Sequence, residues 1–568
     1  MKLVGTFRTR SEYMYAAIRK RIPEKILRLG TVLLLSLPVV LFFLPFLLGL
    51  HRQLPGDWDY FAQLYESTRR IILVYHQFPW WNPWQAGGVP LYANPQFGLF
   101  SIQLPLVIVF GTLPGLRLGV VLYFLVGFWG MMTLLKQLKT PRLRGLLLSY
   151  VWVFSGYTIW HMLVGHYTFC LYMLSPWLLW AFLRKTNRLG WLWFGAVSGL
   201  YIGSSPHNTA VQALALLGLV AIVELMATTN RRSLLTSYAR SFPVTALFII
   251  HRLYYVLQYT KQYPRIPESE ITNSGFLLLQ SLWRPGLSSF FGLPTMSLPR
   301  YNWWEYAAYM GVLTLIIILL SVLLLARNWK INKNWRALEA LGIAVICLTL
   351  ALGPVWHYSP YTILTSLPVF KLMRVPSRWI GWAGFALVIF IGLSKYGQRF
   401  ERWLRIALMI TVVELFITHT VLLASVHLQP FDQPASGSFK LIENYSAPSL
   451  MPLLGATYSN ESTLKGYEPI LGDVPHLPTK RCSTSPSCPL VLTNNAQVVS
   501  WTPNKIILRR TGDGKILLDI NPGSYWLING TRAFANYRIT ELDKDFIIED
   551  QSNLIVCQIS PRKKFGVI

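Results

Sequence analysis

Apolar and polar positions alternate in long blocks along this chain. Apolar runs recur at Val32–Leu50, 117–136, 145–162, 166–184, 190–205, 208–227, 241–258, 306–326, 337–353, 379–394 and 406–425. Runs of about 20 apolar residues match the hydrocarbon thickness of a bilayer, so the pattern predicts a multi-span α-helical membrane protein with about eleven transmembrane helices. The run 99–112 is shorter, is broken by Pro105 and is followed by Pro114. If it crossed, the cluster Lys136, Lys139, Arg142 and Arg144 would fall on the outer side, against the preference of short basic loops for the cytoplasm. Stretches 60–75 and 97–112 are therefore predicted as helices lying at the membrane surface.

With those two stretches off the count, the short basic loops fall on one side. They include Arg184, Lys185 and Arg188; Arg231 and Arg232; Arg327 to Arg336; and Lys395 to Arg405. Residues 1–28 are basic and would be cytoplasmic. The run that follows has no small-residue cleavage site and reads as an uncleaved first helix. The transmembrane domain is predicted over 29–427, with an outer loop at 51–116. Loop 259–304 and a re-entrant turn at 354–377 are also outside.

From residue 428 the pattern changes. Short β-type runs (KIILR, KILLDI, FANYRIT, DFIIED, NLIVCQI) are separated by Gly512-Asp513-Gly514, Asn521-Pro522-Gly523 and Asn529-Gly530. Residues 428–568 are predicted as a small extracytoplasmic β-sandwich-like domain. Residues 430–500 are irregular and rich in Pro. The chain shows no internal repeat, which counts against an inverted-repeat transporter.

Composition agrees: of 568 residues 53% are hydrophobic and only 13% charged, with mean hydropathy +0.40. The formal charge of +28 would suggest nucleic acid in a soluble protein. Interleaved with apolar spans it reads instead as positive-inside charge, so no nucleic-acid partner is expected. Cys482 and Cys488 bracket a polar stretch, and a disulfide fits if that stretch is extracytoplasmic; two unpaired thiols are the alternative.

The candidate chemistry gathers at the outer face. Asp57 and Asp59 stand just beyond the first span, among aromatic residues. A carboxylate held partly desolvated there can act as a general base, and an Asp-x-Asp pair can hold a divalent cation such as Mg or Mn. Either acid can equally cap a helix beginning near Tyr60. Downstream, Trp81, Asn82, Trp84, Asn94 and Gln96 lie in an aromatic, turn-rich stretch suited to stacking on a sugar ring, or to an interfacial aromatic belt. His161, His166, His207 and Glu305 fall at the outer ends of predicted spans, as structural residues or as the lining of a polar cavity. Lys371, Arg374 and Arg378 are positive charges on the outer side, suited to a lipid-linked phosphate or to headgroup snorkelling. Arg252 lies inside a span and is expected to pair with an acid.

The order Asp57-Trp58-Asp59-Tyr60, Phe78-Pro79-Trp80-Trp81-Asn82-Pro83-Trp84, Gly87-Gly88-Val89-Pro90, Ala93-Asn94-Pro95-Gln96, Gly165-His166, Trp304-Glu305-Tyr306, Tyr309-Met310-Gly311 and Arg374-Val375-Pro376-Ser377-Arg378 resembles the YfhO-type bacterial membrane proteins of the GT-C glycosyltransferase superfamily. The resemblance covers most of the spanning region. It implies an enzyme of the bacterial cytoplasmic membrane that moves a sugar from a polyprenyl-phosphate carrier to an extracytoplasmic glycan, lipid or protein acceptor, with inversion. On that template Asp57 or Asp59 is the base, Lys371, Arg374 and Arg378 bind the donor phosphate, and His166, His207 and Glu305 line the sugar pocket. His251-Arg252 departs from the acidic element that such proteins often carry near the end of the seventh span. Two other classes compete: a flippase or exporter of lipid-linked sugars, and a non-catalytic assembly factor for a surface polymer.

Overall fold

The structure is a computed structural model. It describes residues 24–559, apart from 86, 205–207, 263–274, 287–302, 328–333, 368–369, 372, 374, 426–429, 443–450, 464–486, 489, 491–492, 519, 521–525 and 533–545. His207, Arg374 and Cys482 lie outside the described residues, as does the side chain of Cys488, and with them the predicted disulfide.

Helices stand at each of the eleven predicted places. They are α1 Glu24–Phe42, α2 Leu44–Leu47, α3 Trp58–Leu73, α4 Gln103–Phe110, α5 Thr112–Gln137, α6 Arg142–Phe154, α7 Gly156–Leu163, α8 Ser175–Leu183, α9 Gly190–Ser204, α10 Asn208–Ala227, α11 Arg231–Gln262 and α12 Gly275–Trp283. There follow α13 Val312–Arg327, α14 Trp335–Ala351, α15 Pro360–Ser366, α16 Trp379–Leu393, α17 Gln398–Ala424 and α18 Pro452–Ser459. Among the described residues seven helical stretches are long and apolar enough to cross a membrane. Others are shorter: the fourth predicted span is a 3-10 turn, Tyr167–Leu174, running into α8. The chain is a multi-pass helical membrane protein with a small C-terminal sheet region.

The two predicted surface helices are α3 and α4, but α3 is not a surface element. Its residues from Trp58 to Thr68 are buried. One side faces the bundle and the other faces the C-terminal region. There α18 packs on it, and α3 holds both ends of that short helix. The Asp59 carboxylate accepts from the amides of Leu453 and Leu454, each at 2.9 Å. The Arg70 guanidinium donates to the carbonyls of Thr457 (2.7 Å) and Tyr458 (2.9 Å). An anion at the N-terminus and a cation at the C-terminus match the helix dipole and satisfy groups that have no partner within the helix.

The C-terminal strands are β3 Lys440–Ile442, β4 Glu461–Thr463, β5 Ser487–Cys488, β6 Ala496–Thr502, β7 Lys505–Arg510, β8 Ile516–Leu518, β9 Trp526–Ile528, β10 Thr531–Arg532, β11 Phe546–Ile548 and β12 Leu554–Ile559. β1 Trp81–Asn82 and β2 Val89–Pro90 form a small hairpin in the outer loop. A five-stranded antiparallel sheet runs β10-β9-β12-β7-β6, and residues of the pair β11-β8 belong to the same hydrophobic core. Trp81 from the outer loop belongs to that same core and meets Trp526 edge-on at 5.8 Å. In return, Met451, Leu453 and Leu454 belong to the core of the helical bundle. Packing therefore crosses the boundary that the composition change places at 428.

Candidate functional site

Two tight turns bring the first candidate acid to its neighbours. Gly56 (φ +69) and Gly165 (φ +88) both take left-handed conformations that glycine adopts without strain. The amide of Asp57 donates to the Val164 carbonyl at 3.0 Å, and the Trp58 indole donates to the Met162 carbonyl at 2.8 Å. A Cβ on Gly165 would stand 2.2 Å from the Trp58 nitrogen. The start of α3 is thus locked into the turn after α7, and that turn carries His166.

From this clamp a row of titratable groups runs inward. The Asp57 carboxylate lies 3.3 Å from His166 Nε2. His166 Nδ1 and His161 Nδ1 share a hydrogen bond of 2.8 Å, and His166 Nδ1 stands 4.0 Å from Glu305 Oε1. Glu305 is gripped by Arg378 through Nε (2.8 Å) and Nη2 (2.6 Å), a two-pronged pair in a fully buried setting. Burial pushes the Glu305 carboxyl up, but the Arg378 charge and hydrogen bonds outweigh it, and the two histidines add to them. The group is held down at about 2. Phe169 packs beneath, stacked on His161 at 3.9 Å and under the Arg378 guanidinium at 5.0 Å. Tyr157 fixes the same turn by donating to the Arg378 carbonyl at 2.9 Å.

Asp57 is the open end of this row. Its side chain is 29% exposed, against 5% for Glu305. If His166 Nε2–H donates to Asp57, then His166 Nδ1 accepts from His161, and His161 Nε2 is left as a bare lone pair. That nitrogen is buried without a hydrogen-bond partner, as the arrangement requires.

The sequence candidates divide. Asp57, His166, Glu305 and Arg378 come together, as does His161. Asp59 does not join them, because both its oxygens face the N-terminus of α18. Trp81, Asn82 and Trp84 are buried. Trp81 plugs the β core. Asn82 exchanges hydrogen bonds with Gln63 (3.1 and 3.3 Å), and the Trp84 indole donates to Asn460 at 2.8 Å. The Trp-rich loop is a socket for the C-terminal region, which accounts for its apolar character. Asn94 donates to the Tyr60 hydroxyl at 2.9 Å and accepts from the Gln96 amide at 2.9 Å, holding a turn. Lys371 is exposed. Arg252 pairs with no acid among the described residues. It donates to the carbonyls of Tyr92, Asn94, Phe97 and Gly203, pinning the 92–97 turn to the bundle.

Of the Asp57/Asp59 pair expected to hold a cation, Asp57 is engaged by His166 and both Asp59 oxygens by the α18 amides. The ligand atoms that do converge, within 4.8 Å, belong to His161, His166 and Glu305. Both Glu305 oxygens already face a guanidinium, and the two imidazoles bond to each other. This donor set does not fit a hard divalent cation such as Mg, which requires several free oxygen ligands.

No family model matches the chain, and no curated protein matches it. Among solved structures it is similar to the oligosaccharyltransferase of Archaeoglobus fulgidus in the apo form, at 11% identity and TM-score 0.46, over 78% of this chain and 65% of that one. The chain thus spans just under two thirds of that protein's length. It is also similar to ArnT from Cupriavidus metallidurans bound to undecaprenyl phosphate (15%, TM-score 0.36, 76% and 85%) and in the apo state (14%, 0.36, 77% and 85%).

Proposed function

We propose that this chain is an integral-membrane glycosyltransferase of the GT-C kind. It would take a sugar from a polyprenyl-phosphate carrier and place it on an extracytoplasmic glycan, lipid or protein acceptor, with inversion. The carrying observation is the Asp57 carboxylate, half-open at one end of the bundle and held against His166 by two interlocked turns. Asp57 takes the proton of an acceptor hydroxyl. The acceptor oxygen forms its bond to the anomeric carbon, the opposite bond to the phosphate oxygen breaks, and the electron pair leaves with polyprenyl phosphate. His166, steadied by His161, orients the Asp57 carboxylate through its Nε2–H.

Arg378 is committed to Glu305, so in this reading it holds the inner end of the row. Lys371 and Arg374 are the cations assigned to the leaving phosphate. The reaction needs no metal at Asp57 and Asp59.

The test uses purified protein in lipid with a panel of radiolabelled polyprenyl-phosphate sugars and a crude envelope acceptor fraction. Asp57→Asn should lower turnover by about 10²–10⁴-fold. Asp59→Asn should retain turnover while loosening α18. Undiminished transfer by Asp57→Asn removes the base. Absence of any transfer by the wild type, together with carrier translocation in liposomes, replaces the enzyme by a flippase.

A further inference from the structure

At the end of the bundle opposite the Asp57–His166 site lies a cavity of about 400 Å³ between α8, α10, α14 and α16. Its walls are apolar: Ala213 and Leu216 from α10, Ala340 and Ile343 from α14, Phe385 and Ile389 from α16. The lining on α16 runs from Trp382 to Leu393, eleven steps along the helix or about 16 Å. The inner end is closed by polar groups that satisfy each other, the Trp382 indole donating to Gln212 at 3.0 Å and Ser175 bonded to Tyr201 at 3.0 Å. At the other end, on the side of the basic loops, stand Glu224, Arg336 and Glu339. Glu224 is already paired, accepting from Lys185 at 2.7 Å and from Tyr238 at 3.2 Å. The Arg336 charge acts on the Glu339 carboxylate one turn along α14, and Glu224 acts on it with like charge.

We propose that this cavity is the binding site of one zwitterionic phospholipid. One hydrocarbon chain fills the apolar shaft, the headgroup phosphate meets Arg336, and the ammonium meets Glu339. The shaft is open at its mouth, and an apolar surface of this kind within a membrane-spanning bundle excludes water and is covered by hydrocarbon. A cation and an acid one turn apart on α14, Arg336 and Glu339, set opposite charges side by side at the cavity mouth and complement a headgroup that carries both charges. A headgroup with phosphate alone would leave Glu339 facing like charge. The site is separate from the Asp57–His166 row and does not depend on the activity proposed for it.

The test is native mass spectrometry of the full chain released from detergent, titrated with phosphatidylethanolamine or phosphatidylglycerol. Wild type should retain one lipid, with phosphatidylethanolamine favoured by at least about fivefold. Ala340→Phe and Ile343→Trp, which fill the shaft, should each lower occupancy by both lipids at least about fivefold. Glu339→Gln should keep occupancy but remove the preference. Equal binding of the two lipids by wild type, or a preference for phosphatidylglycerol, overturns the headgroup assignment. Unchanged occupancy in the shaft variants, with melting temperatures near wild type, overturns the site. Glu339→Gln leaves the wall intact, so the reading is decided even if a larger side chain prevents folding.

Discussion

Replacing Asp59 with asparagine separates the structural aspartate from the candidate base, and its size follows from the burial of one carboxylate. Asp59 is 7% exposed, and burial pushes its carboxyl up from 3.8 to about 7, although the two amide bonds from Leu453 and Leu454 pull the other way. The folded form therefore holds its proton to higher pH than the unfolded form. Stability linked to this group is fully present below pH 3.8, falls as pH rises from there to about 7, and is level above. A rise of about three pH units at about 1.4 kcal/mol each makes the total about 4 kcal/mol. Glu66, buried on the same helix and raised mainly by burial, adds to the wild-type slope in the same direction. The assay is hydrogen exchange at α18, corrected for intrinsic rates, in lipid nanodiscs between pH 4.5 and 8. Wild-type protection of the α18 amides should decline toward pH 7. In Asp59→Asn the decline should be shallower by most of Asp59's share, with about 1–3 kcal/mol lost at low pH because one amide no longer has its acceptor. Identical slopes in the two proteins, or an equal effect from Asp57→Asn, would refute the assignment.

Glu305→Gln leaves the Arg378 guanidinium buried without its counter-charge. It should destabilise the bundle by about 3–5 kcal/mol, read as a lowered melting temperature, with Glu305→Gln/Arg378→Met recovering much of the loss. Trp81→Ala should empty part of the β core and cost about 3–5 kcal/mol, seen as faster proteolysis of the C-terminal region while the helical far-UV signal persists. Arg252→Lys has one ammonium for four carbonyls, so the 92–97 turn should gain amide exchange while the exchange of α16 is unchanged.

The elements themselves were legible wherever periodicity or run length speaks. Broken runs at Pro105 and Pro114, together with the side on which Lys136 to Arg144 must fall, located α3 and α4 to within a few residues at most ends. The KIILR and NLIVCQI runs gave β7 and β12, since alternation over a few residues needs no tertiary information. Side-chain partners were a different matter. Asp57 and Asp59 are two residues apart and look alike in sequence. One faces a histidine and the other accepts from a helix amide 394 positions later, and nothing local distinguishes them. Arg378 looked like a free phosphate ligand because its partner Glu305 is 73 residues away. The Trp-rich loop reads equally well as a sugar platform and as a socket. What decided it was the position of a β core whose own residues lie beyond 480.

The helix α3 joins the candidate base to the C-terminal region as one rigid element. Its first turn carries Asp59 beside the candidate base, and its last turn carries Arg70, with α18 held between them. Sixteen residues make a rod of about 24 Å, so a tilt of only two or three degrees about the Arg70 end would carry the Asp57 end about 1 Å. A displacement of that size is enough to change a reaction rate by about a hundredfold. Strain on the C-terminal region, whether from a docked glycan or a tethered partner, would therefore reach the carboxylate mechanically, through a single rigid element rather than a chain of rearranged contacts.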